Sequence, residues 1–140
     1  MKIIPSLVFL LSLTLSYLAK AQDNKQDASA TKAALLAQQQ LDAYNNGDID
    51  AFLVPYAETV EVYTFPNELS YKGKEKMRPR YAKFFEQYPD LHCELVNRIV
   101  QGNTVIDHER IQGIPGRSPF EAIAIYKIED NKIAKVYFVR

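Results

Sequence analysis

The chain has 140 residues, with 17 basic and 17 acidic side chains and one cysteine. That length sets a single domain, and zero formal charge argues against a nucleic-acid binder, which carries a basic excess or stripe. One cysteine excludes an internal disulfide framework and a four-cysteine zinc site.

The first residues read as an address. Lys2 supplies a small positive start, the stretch from Leu7 to Leu18 is mostly apolar, and Ala19-Lys20-Ala21 is a small-x-small cleavage motif. This is the pattern of a secretory signal peptide over residues 1–21. The apolar run is short for a membrane span, which needs about 20 apolar residues, so an uncleaved N-terminal anchor is the secondary reading. Cleavage would leave 119 of the 140 residues and remove Lys2 and Lys20, making the mature chain mildly acidic. The expectation is export to the periplasm or medium, with no stable membrane insertion after cleavage. Residues 22–29 hold no large apolar side chain and read as a polar linker. Residues 30–140 then form the folded domain.

Helices come first. Ala34, Ala37, Leu41 and Tyr44 recur at steps of three and four, which predicts a helix over residues 31–45. Asn46-Gly47 stops it. Asp48 is placed to cap a short second helix from Ile49 to about Tyr56, limited by Pro55. Residues 60–65 are rich in β-formers and read as a strand, with residues 69–72 as a brief extended return. Met77, Tyr81, Phe84, Phe85 and Tyr88 make the buried stripe of a third helix. Pro79 either starts that helix or bends it.

Four strands follow, over residues 91–101, 104–112, 120–129 and 132–140. Gly102-Asn103 and Asp130-Asn131 carry hairpin-turn residues. The order predicts an α+β fold, its N-terminal helices packed on a curved antiparallel sheet. With Gly102-Asn103 as a two-residue turn, Asn97 faces His108, Leu95 faces Arg110 and Cys93 faces Gln112, all on one side. Arg98 faces Asp107 on the other, as an ion pair on a solvated face. The first side has fewer charges and is taken as the concave one, carrying Asn97, His108, Arg110 and Gln112. A slip by one residue would turn Asp107 and Glu109 inward instead.

The segments Tyr44-Asn45-Asn46-Gly47-Asp48-Ile49-Asp50-Ala51-Phe52, Tyr71-Lys72-Gly73-Lys74-Glu75 and Ile128-Glu129-Asp130-Asn131-Lys132-Ile133 together resemble the nuclear transport factor 2-like superfamily. The SnoaL-like and ketosteroid isomerase-like branch is the most similar. The resemblance implies a cone of helices and curved sheet around a deep pocket, and a homodimer packed through its sheets. It also implies what is missing. The isomerase base falls at Val62, the oxyanion tyrosine near Gln40 and the protonated aspartate near Ala124. Against the epoxide hydrolases, Tyr63 and Arg110 match, but Gln112, Phe65 and Phe138 replace acids or an asparagine. The acid of the polyketide cyclases falls at Val136 or Phe138.

The expectation is therefore an aromatic and apolar pocket for a small carbonyl- or carboxylate-bearing ligand. Arg110 would hold its oxygen, with Tyr63, Tyr81, Asn97, Gln112 and Phe138 around it. The alternative is an isomerase- or lyase-type enzyme with His108 as general base. No His or Cys spacing suits a metal, no glycine-rich loop suits a phosphate cofactor, and none is expected.

Overall fold

The computed structural model describes the backbone of residues 6–139 and the side chains of residues 20–139. Of the leader expected over residues 1–21, residues 1–5 lie outside the described residues and residues 6–19 are described in backbone alone. Helix α1 spans Ser6–Asn45. Neither glycine nor proline occurs in it, so nothing breaks its hydrogen bonding. The expected linker over residues 22–29 is thus helical, with exposed side chains. From Ala33 on, α1 buries one face through Ala33, Leu36, Ala37, Gln40 and Leu41.

Asp48 caps α2 (Ile49–Leu53) as expected, its Oδ1 accepting from the Ala51 N–H at 3.0 Å. The helix ends before Tyr56 because Pro55 lacks an N–H. Tyr56 instead opens strand β1 (Tyr56–Thr64), opposite Ile133. Strand β2 (Glu68–Lys72) returns antiparallel to β1. Helix α3 (Lys74–Gln87) contains Pro79 one and a half turns in. Four strands complete the chain: β3 (His92–Gln101), β4 (Thr104–Gln112), β5 (Phe120–Glu129) and β6 (Lys132–Val139).

The six strands form one sheet in the order β2-β1-β6-β5-β4-β3. The sheet is mixed rather than antiparallel throughout, because β6 closes beside β1 in the same direction. The core lies between its inner face and the helices, where Phe52, Val60, Val62, Met77, Val105, Ala124, Ile133 and Val136 are buried.

Two contacts pin β3 under α1. The Asn45 side-chain amide donates to the Cys93 carbonyl at 2.9 Å, and its Oδ1 accepts from the Cys93 N–H at 2.7 Å. Gly113, at φ 88°, passes so close to the Asp90 carbonyl that any Cβ would collide with it.

The β3–β4 hairpin keeps its expected pairing from the turn down to Asn97 opposite His108. An irregularity between Leu95 and Asn97 then shifts the register, so that Leu95 faces Glu109 and Cys93 faces Ile111. The assignment of faces is reversed. On β4 the buried residues are Val105, Asp107, Glu109 and Ile111. His108 and Arg110 point to the outer face, although the register near the turn has not slipped.

Candidate functional site

A cavity of about 140 Å³ lies between the sheet and the three helices. Aromatic rings build its helical wall. The Phe52 and Tyr81 rings lie 4.4 Å apart, and Tyr44 meets Phe85 edge-on at 5.4 Å. Edge-to-face and tilted pairs are the favoured packings of such rings. Tyr56, Tyr81, Phe120 and Phe138 also line the space.

Into this mainly aromatic chamber the sheet projects one carboxylate. Glu109 is 6% exposed. Its Oε1 accepts from the Tyr126 hydroxyl at 3.1 Å. That hydroxyl accepts in turn from Gln40 Nε2 at 3.0 Å, and Gln40 Oε1 accepts from Tyr56 at 3.2 Å. Every donor in this chain points toward Glu109, with the Cys93 thiol a further hydrogen-bond partner.

Burial, then the negative charge of Asp107, pushes the Glu109 carboxyl up to about 7. The bonds from Tyr126 and Cys93 and the charge of Arg98 oppose that rise without cancelling it. Loss of hydration penalises the charged form. Burial likewise drives the Tyr56, Tyr81 and Tyr126 hydroxyls well above the ordinary tyrosine range, so these phenols stay protonated. The Cys93 thiol is raised by burial and by Glu109.

Asp107, two residues along the same face, is fully buried. Arg98 pairs with it in a fork, Nε to Oδ1 at 2.7 Å and Nη2 to Oδ2 at 2.8 Å. Arg98 Nη1 also donates to Gln38 Oε1 on α1 at 2.9 Å. The Arg98–Asp107 pair expected from the hairpin is present, but on the covered face. Asp107 is thus committed to a structural pair, and Glu109 is left to face the cavity.

Of the residues expected to bind ligand, Tyr81 and Phe138 line the cavity. The others do not reach it. His108 Nε2 lies 2.8 Å from Glu121 Oε2 on the outer face. Arg110 donates to Glu121 at 3.0 Å and to Glu94 at 3.3 Å there. Tyr63 donates to Glu61 at 2.7 Å and stacks on Tyr137 at 4.9 Å. Asn97 and Gln112 are exposed. The outward turn of even-numbered residues on β4 explains His108, Arg110 and Gln112 together. Strand β5 carried the missed signal. Its apolar or aromatic Ala122, Ala124, Tyr126 and Ile128 share one face, and charged Glu121 and Lys127 mark the other. Through the β4–β5 register this turns Glu109 inward, opposite Ala122. Among the described residues, no group of three or more His, Cys, Asp or Glu is placed to hold a metal ion.

The family model described as a SnoaL-like domain matches residues 37–136, from the cavity face of α1 to β6. The chain belongs to the SnoaL-like domain family. Among solved structures, this SnoaL-like domain is similar to an uncharacterized cystatin fold protein from Novosphingobium aromaticivorans. The two share 25% identity at a TM-score of 0.71, over 77% of this chain and 97% of that one. A SnoaL-like protein of unknown function from Burkholderia thailandensis also matches at 25% identity. Its TM-score is 0.64, over 77% of this chain and 92% of that one. An epoxide hydrolase of the LEH-like type from M. tuberculosis matches at 13% identity and TM-score 0.67, over 79% and 83% of the two chains, which shows the fold alone. No curated protein matches significantly. The SnoaL-like fold serves several reactions, so the reaction has to be argued from the site.

Proposed function

We propose that this SnoaL-like domain binds a small, largely apolar carbonyl compound in the aromatic cavity and moves a proton on it, with Glu109 as acid and base. The observation that carries this reading is the Glu109 carboxylate itself, buried among protonated tyrosines and raised to about 7. A group titrating near neutrality can both take and return a proton. The step is an isomerisation. Glu109 removes a proton from the carbon next to the carbonyl, a hydroxyl such as Tyr44 or Tyr81 donates to the developing enolate oxygen, and Glu109 returns the proton at another carbon. Hydroxyl donors in a site shielded from water favour such charge.

Glu109 replaces His108 as the base of the enzyme reading, since His108 is engaged with Glu121 outside the cavity. Arg110 is likewise unsuited to grip a ligand there. A cavity of about 140 Å³ has the size that accepts one benzene ring. The test therefore uses 3-cyclohexen-1-one, whose conversion to the conjugated isomer is followed by ultraviolet absorbance. The intact protein should accelerate it, and Glu109→Gln should lose about 100-fold or more. Equal rates for both would leave binding without turnover, the other role open to an aromatic cavity. Native mass spectrometry of protein from its own cells would then identify a retained ligand.

The same reading takes the protein as exported, with residues 1–21 removed, and as a homodimer. Mass spectrometry of the exported protein should find Gln22 first.

A further inference from the structure

A second, outer cavity of about 360 Å³ adjoins the first. Tyr81, Phe84 and Phe138 line both, so their rings stand between the inner chamber and the outer one. The chemistry of the two differs. The inner chamber holds the Glu109 carboxylate. The outer one holds the hydroxyl side chains Thr64, Ser70 and Tyr71 and the guanidinium of Arg80.

Arg80 is the cation that lines this outer cavity; like Lys76 and Lys83 on the same helix it makes no ion pair among the described residues, whereas its other neighbours do. Lys72 pairs with Glu61, Lys74 with Glu58 and Arg78 with Asp50. The Arg80 guanidinium instead lies over the Tyr71 ring, 4.7 Å from the centroid. An arginine laid on an aromatic face is held in orientation while its planar fork of donors stays available. Such a fork suits a carboxylate, which accepts two parallel bonds.

We infer that the ligand is an amphipathic monoanion, with a body the size of one six-membered ring and a carboxylate on a short chain, and that Arg80 selects it. This rests on the proposed reading of the inner cavity. The ring enters past Tyr81, Phe84 and Phe138, and the carboxylate stays in the outer chamber against Arg80. Glu109 reinforces that direction, because a second anion in the inner chamber would meet its charge at close range in a poorly hydrated space. Arg80 is thereby a specificity-determining residue, remote from the reacting atoms.

The test is calorimetric titration of the full protein at pH 8 with 3-phenylpropionate and with its neutral amide, 3-phenylpropionamide. The two differ only in the charged end. On the wild-type protein the carboxylate should bind at least tenfold tighter than the amide, with the advantage shrinking at high salt. Arg80→Gln should erase that difference and leave the amide's Kd unchanged, and Arg80→Lys should restore part of it. Arg80 is exposed, and the unchanged amide affinity certifies that the variant is folded. Arg78→Gln, which removes a neighbouring cation already paired with Asp50, should leave both affinities as they are. Equal affinities on the wild type, or an advantage that survives Arg80→Gln, overturns the inference and leaves the inner cavity reading standing. Failure of both probes to bind overturns the two together.

Discussion

The Tyr126 hydroxyl stands between Gln40 and Glu109, accepting from one at 3.0 Å and donating to the other at 3.1 Å. That single oxygen links helix α1 to the inner face of the sheet. It also fixes the direction of the proton chain, because an amide N–H can only donate. A Tyr126→Phe variant would remove a donor that holds the Glu109 carboxyl down. It would also leave the buried Gln40 amide without this acceptor, at a cost of about 1–3 kcal/mol. The expected outcome is a Glu109 midpoint moved above about 7 together with that loss of stability. Carboxyl NMR titration and urea unfolding measure the two separately.

Glu109 makes stability depend on pH in a definite sense. Its ordinary value of 4.5 is raised to about 7 in the folded protein. Between those values the native state binds more protons than the unfolded state, so stability falls as pH rises. The gap corresponds to about 3 kcal/mol lost across the window. Glu109→Gln keeps an acceptor for Tyr126 but cannot titrate. Urea unfolding at several pH values should therefore show the slope attributable to Glu109 disappear, with the variant the more stable protein at pH 8. Under the proposed mechanism the wild-type rate should move the opposite way, rising with pH to a plateau above about 7, where Glu109 is the free base.

Arg98 and Asp107 form the other charged feature of the inner face, and they call for a paired test. Asp107 has no exposed surface. Arg98→Met would strand its charge, and breaking a buried pair from one side costs about 3–5 kcal/mol. Replacing both, as Arg98→Met with Asp107→Leu, should recover most of that loss. Chemical denaturation of the two single variants and the double variant completes the cycle. Because Asp107 repels the Glu109 charge, the double variant also gives up one cause of the raised carboxyl, while losing the opposing Arg98. Its carboxyl midpoint reads the balance of the two.

These two acids explain why the fold was legible in the sequence while the site was not. Periodicity placed the helices, and turn residues placed the hairpins, because each rests on neighbours close in the chain. The pairing of Asn97 with His108 followed from the two-residue turn alone. The choice of face required knowing what the rest of the sheet would cover. Charge suggested that Asp107 and Glu109 face water, but Arg98 neutralises one and a ring-lined chamber tolerates the other. The irregularity between Leu95 and Asn97, which sets Leu95 rather than Val96 beside Glu109, has no turn residue to announce it. The reach of Arg80 into the outer cavity likewise depends on how α3 lies over β2, which no local pattern encodes.

The outer face of the sheet supplies the surface for the proposed homodimer. Leu69, Tyr63, Tyr137, Ile125, Ile106 and Ile99 are successive register partners across all six strands, so an apolar row crosses the whole face. Ile99 is 56% exposed and Leu69 is 52% exposed. A continuous apolar row of this kind marks an interaction site more strongly than scattered exposed residues do. A two-fold interface would present each side chain twice, so one substitution places two like charges in the contact. Ile99→Glu should therefore convert the dimer to a monomer in sedimentation velocity. Because Ile99 is already largely exposed, its unfolding midpoint measured at monomer concentrations should barely change. Glu94, Arg110 and Glu121 form a charged group on the same face. If it borders the contact, Arg110→Ala should weaken the dimer less than Ile99→Glu does, since exposed ion pairs contribute little. A wild-type chain that sediments as a monomer at high concentration would overturn the homodimer and leave the cavity chemistry untouched.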